Sequence, residues 1–111
     1  MVEEYTDFPI EFHVEPVLDD DTEKTLYVEA EDQLRKLAKN HTDITGAAID
    51  ITQPAEDRET PYVYEASVVI YTRPNNIAAV EKNGDVGAAL RGALKAAARQ
   101  VRDKRDRLRN H

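Results

Sequence analysis

From Val86 to the C-terminus the chain carries apolar and basic residues that are both spaced for a helix but lie on different faces, and this limits what it can fold into. At about 100° per residue, Val86, Leu90, Leu94, Ala97, Val101 and Leu108 fall in one narrow arc, so a helix here must lie on a core along that arc. Arg91, Lys95, Arg99, Arg102, Arg105 and Arg109 form a second stripe beside it. Asp85, just before the first helical residue, is placed to cap it.

The upstream residues supply what such a helix can rest on. Phe8 to Glu15 alternates, with Ile10, Phe12 and Val14 on one side and Glu11, His13 and Glu15 on the other, which predicts a half-buried strand. Pro16 and Asp19-Asp20-Asp21 break it, and a helix is expected from near Thr22, with Leu26, Ala30, Leu34 and Leu37 inward and Asn40 to Asp43 ending it. Ile44 to Gln53 reads as a second strand with Ala47, Ile49 and Ile51 inward. Pro54 to Pro61 reads as a polar loop. Tyr62 to Arg73, rich in β-branched and aromatic residues, reads as a third strand with Tyr64, Ala66, Val68 and Ile70 inward. Pro74-Asn75 turns the chain into a short fourth strand, Ile77 to Val80, and Asn83-Gly84 leads to the final helix.

The expected fold class is therefore α+β in the order β-α-β-β-β-α. The first helix is long enough for a parallel crossover between strands one and two, and strands two to four then form an antiparallel meander. This gives a four-stranded mixed sheet with two helices packed on one face. Val63, Val69 and Tyr71 fall on the opposite, otherwise polar face. At 111 residues the chain is expected to be one domain over 1–111, with 1–7 and 110–111 as loose ends.

Charge follows the same partition. Val86 onward holds eight bases and two acids, whereas Met1 to Leu34 holds twelve acids and one base, within a net charge of −7. A negative total disfavours a polyanionic partner at long range, but bases gathered on one helix still favour an anion locally, with strong dependence on salt. Asp103 and Asp106 are the only acids in the segment, so most of its bases lack a partner one turn away. The chain has no cysteine, which excludes disulfides and thiolate metal sites and accords with a reducing compartment. The acidic start, followed by no long apolar run, predicts neither a secretory signal nor a membrane span, and a cytoplasmic protein is expected.

No constellation for catalysis stands out. His13, His41 and His111 are scattered, with no two at metal-ligand spacing, and a helix cap accounts for the three aspartates better than a calcium loop, whose glycine and spacing they lack. The five tyrosines do not line up beside bases on one strand face, so packing is their expected role. There is no nucleophile elbow, no phosphate-binding glycine loop and no carboxylate pair beside a placed histidine. Neither an enzyme, a cofactor, a metal nor a small-molecule substrate is expected.

Asp85-Val86-Gly87-Ala88-Ala89-Leu90, Ala98-Arg99-Gln100-Val101 and Lys104-Arg105-Asp106-Arg107-Leu108 resemble the C-terminal helix of the short ribosome hibernation-promoting factors and protein Y, the sigma-54 modulation family. The likeness runs without a gap from Ile77 onward, and the order β-α-β-β-β-α is the fold of that family. The resemblance implies a translation inhibitor that binds the small ribosomal subunit and its 16S rRNA, occluding the channel of messenger and transfer RNA. Carried over by position, it nominates Arg91, Lys95, Arg99, Arg102, Lys104, Arg105, Arg107 and Arg109 as rRNA contacts, with Arg35, Lys36 and Lys39 from the first helix. Gly87 departs from the pattern, since family members commonly carry an aromatic residue there. The expected state is a monomer or weak dimer. Two other readings use the same fold: an interaction module for a non-ribosomal protein, and a domain that reads double-stranded RNA by shape.

Overall fold

A computed structural model describes residues 8–53 and 63–109, with side chains through residue 107. The expected loose ends, the expected loop from Pro54 to Pro61 and the side chains of Leu108 and Arg109 lie outside the described residues. The elements are β1 (Ile10–Val14), α1 (Asp20–Asn40), β2 (Gly46–Thr52), β3 (Tyr64–Tyr71), β4 (Ile77–Asn83) and α2 (Val86–Arg109). The strands lie side by side in sequence order, β1 parallel to β2 and the other pairs antiparallel, as the alternation and the crossover length imply.

The registers align three rows across the sheet that face the helices. Ile10, Ala47, Ile70 and Ile77 form one row, and Phe12, Ile49, Val68 and Ala79 the next. The third runs Val14, Ile51, Ala66 and ends at Glu81. Against these rows α1 buries Leu26, Ala30 and Leu34, and α2 buries Ala89, Leu90, Ala93, Leu94, Ala97 and Val101. The Tyr27 ring of α1 meets Phe12 edge-on, with centroids 5.4 Å apart.

The first two strands are shorter than the alternation implies, Ile10–Val14 and Gly46–Thr52, and three further elements differ from the sequence expectation. The first helix begins two residues earlier than Thr22, because the capping aspartate is the first of the three: Asp19 accepts from the Thr22 amide at 3.2 Å and from its hydroxyl at 2.6 Å. Asp20, Asp21 and Glu23 are thereby left in the first turn, at the positive end of the helix dipole. The fourth strand does not stop at Val80 but continues through Glu81 and Lys82 to Asn83, paired with Ala66, Glu65 and Tyr64. Backbone pairing with β3 carries it past the point where the apolar pattern ends. Gly92 of α2 accommodates this extension, since a Cβ there would lie 2.7 Å from the Glu81 side chain. The third strand, expected over Tyr62 to Arg73, is confined within the described residues to Tyr64–Tyr71.

The helices run parallel. Glu29 of α1 pairs with Arg91 near the start of α2, and the Asn40 carbonyl at the end of α1 accepts from Arg105 near the end of α2. The acidic first turn of α1 and the single capping aspartate of α2, Asp85, therefore lie at one end of the molecule and the basic C-terminal turns at the other. The face of the sheet opposite the helices carries Glu11, His13, Asp50 and Ser67, with Val69 and Tyr71 half-buried among them and Val80 53% exposed.

Candidate nucleic-acid interface

Asp85 starts α2 by accepting from the Ala88 amide at 2.8 Å, and the buried arc of that helix then fixes which way its bases point. Lys95, Arg99 and Arg102 fall opposite the buried arc and are exposed. None of them has an ion pair or hydrogen bond among the described residues. The same holds for Lys39 on α1 and for Arg107, which leaves α2 on the side of β4.

The other nominated bases with described side chains are engaged, those of α2 with partners outside that helix and those of α1 with acids one turn away. Arg91 pairs with Glu29 at 3.2 Å and approaches Asp85 at 3.9 Å, its guanidinium lying over Gly87, 2.9 Å from where a Cβ would be. The arginine thus folds back over the space beside Gly87. Arg35 pairs with Glu31 at 3.0 Å and sits 5.9 Å above the Phe8 ring, and Lys36 pairs with Asp32 at 3.1 Å. Lys104 reaches the Asp43 carboxylate at 3.5 Å, the Thr72 hydroxyl at 3.3 Å and the Arg73 carbonyl. Its side chain is only 17% exposed. Arg105 donates to the Asn40 carbonyl and, at 3.1 Å, to Nδ1 of His41. Arg91, Lys104 and Arg105 thus find partners that spacing along the helix does not reveal.

Two titrating groups belong to this end of the molecule. Burial, and then the charge of Arg105, hold the His41 imidazole below its usual 6.5, with Asp43 opposing. The Thr72 hydroxyl donates to Asp43 Oδ2 at 2.8 Å and, with Lys104, holds that carboxyl below its usual 3.8 against the effect of burial. His41, Asp43 and Thr72 have no local signal in the sequence, because their partners are on α2 or in a connection far along the chain. His41, one of the three scattered histidines, is buried and in contact with Arg105. Among the described residues no group of three His, Cys, Asp or Glu could hold a metal ion, and no helix is long and apolar enough to cross a membrane.

The Sigma 54 modulation protein / S30EA ribosomal protein family matches residues 20–109, from the first residue of α1 to the last of α2. The chain belongs to this family. The match extends upstream of Ile77, where the residues themselves show only a shared pattern. S30EA proteins are ribosome-associated modulators of translation and hibernation rather than enzymes.

Two solved structures share the S30EA fold with this chain. A ribosomal subunit interface protein from Coxiella burnetii superimposes with a TM-score of 0.68 at 11% identity, covering 88% of this chain and 98% of that one. The N-terminal domain of Thermus thermophilus Protein Y gives 0.61 at 15% identity, covering 82% and 91%. No curated protein matches in sequence.

Proposed function

We propose that this protein binds the small ribosomal subunit in the cytoplasm, as a monomer or weak dimer, and blocks translation by occupying the channel of messenger and transfer RNA. The observation that carries this reading is the exposed stripe of Lys95, Arg99 and Arg102, without protein partners among the described residues, on the last helix of an S30EA-family chain. Arginine donates through a planar fork suited to phosphate oxygens, and lysine adds a mobile point charge. Lys39 and Arg107 widen the cationic end, and Arg109 continues the stripe in sequence. The engaged bases Arg91, Arg35 and Lys36 hold the helices in place, while Lys104 and Arg105 fix the end of the molecule that the rRNA meets. Contacts of this kind bind by charge and position and require no catalytic group.

Occupation of the channel is tested by competition. Small subunits saturated with the protein should lose binding of a labelled messenger and initiator transfer RNA in proportion to the protein bound. Undiminished binding at saturation would rule out occlusion.

A further inference from the structure

Where both helices end, two open clefts meet. One, of about 550 Å³, lies between the α1–β2 connection and the last turns of α2, with Ile77 and Val101 in its wall beside His41, Asp43 and Thr72. The other, of about 620 Å³, is lined by Asn75, Asn76, Gln100 and Arg107 and shares Ile77 and Lys104 with the first. Pockets of this size with an apolar wall and a few converging polar groups suit a small planar ligand.

The polar groups of the first cleft have fixed roles. Arginine only donates, so Nδ1 of His41 must accept from Arg105, and the neutral ring then carries its proton on Nε2. No buried side-chain nitrogen or oxygen among the described residues lacks a partner, and Nε2 has none among them, so it is reached by solvent, on a residue that lines the cleft. Asp43 directs Oδ2 to Thr72 and Lys104, and no other side chain among the described residues bonds the carboxylate, whose Oδ1 keeps a lone pair to accept with. The cleft therefore offers an apolar wall, one donor and one acceptor, framed by the cations Arg73, Lys104 and Arg105.

We propose that this cleft seats one unstacked base of an RNA strand, its edge between His41 Nε2 and Asp43 Oδ1, with the adjoining nucleotide over the second cleft. An isolated phosphate would face the Asp43 carboxylate and leave Ile77 and Val101 unused, whereas a base uses the wall and both edge groups. The inference rests on the RNA-binding reading and deepens it: the helix stripe meets phosphates, and the α1–β2 connection reads a base.

The test is NMR of the full chain titrated at millimolar concentration with each of the four ribonucleoside 5′-monophosphates, and with ribose 5-phosphate as the control without a base. The expected result is movement of the Asp43, Thr72 and Arg73 amides and the His41 ring signals with at least one nucleotide and not with ribose 5-phosphate. Equal movement with ribose 5-phosphate, movement confined to the Lys95 to Arg102 stripe, or none at all overturns the proposal. Asp43→Asn keeps an acceptor for Thr72 but loses the charge, and should weaken the nucleotide response about tenfold. An unchanged response overturns the role of Asp43, and if this variant does not fold the wild-type titration decides alone. Co-sedimentation of the wild-type chain with ribosomes reports separately on the RNA-binding reading.

Discussion

Lys95 and Lys104 stand on the same helix and have opposite roles. Lys104, more than four-fifths hidden and bonded to Asp43, Thr72 and the Arg73 carbonyl, ties α2 to two loops. Lys104→Ala should lower unfolding free energy in urea by about 1–2 kcal/mol, as expected when charged hydrogen bonds and packing are lost together. Lys95→Ala should change it by less than about 0.5 kcal/mol and weaken ribosome binding instead. The sequence shows both as lysines on a helix but not this difference, because Asp43 and Thr72 are distant in the chain. Acid should report the same contacts. His41 is held below 6.5, so the unfolded chain takes up a proton that the folded one refuses, and stability falls as pH drops from 6.5 toward the lowered value. The contribution of Asp43 is present above 3.8 and disappears as pH falls through its own lowered value. Thermal melts across pH should show both steps, and His41→Gln should remove the upper one alone.

At the scale of elements, each helix owes its start to one aspartate. Asp19→Ala and Asp85→Ala should each cost about 1 kcal/mol in urea unfolding, the ordinary value of an N-cap. Gly87→Ala asks only the flexible Arg91 guanidinium to move, and should stabilise the protein by up to about 1 kcal/mol through reduced backbone freedom in the unfolded chain. The strands and helices were legible because alternation in β1 to β3 and the apolar arc of α2 both mark a single buried face. What escaped was marked by no side-chain pattern. The polar end of β4 is held by backbone pairing to β3, and Ala89 and Ala93 are buried at the edge of the arc because small side chains let α2 approach the sheet.

At the scale of the molecule, the parallel helices put the acidic start of α1 at one end and their basic finishes at the other, which is how a chain of net charge −7 presents a cationic end. An electrostatic association of this kind should weaken steeply with salt, with a slope in log affinity of about −0.7 to −0.9 for each phosphate neutralised. Reversing Lys95, Arg99 and Arg102 to Glu removes that end without breaking any contact among the described residues, so circular dichroism and the melting midpoint should stay close to wild type. The most direct measurement is sucrose-gradient co-sedimentation of the wild-type and triple-reversed proteins with isolated ribosomal subunits at low and moderate salt. The wild type should travel with the small subunit and be released by salt, and the folded variant should stay at the top of the gradient. A variant that travels with the small subunit as the wild type does, or a wild type absent from it at every salt, would contradict the account.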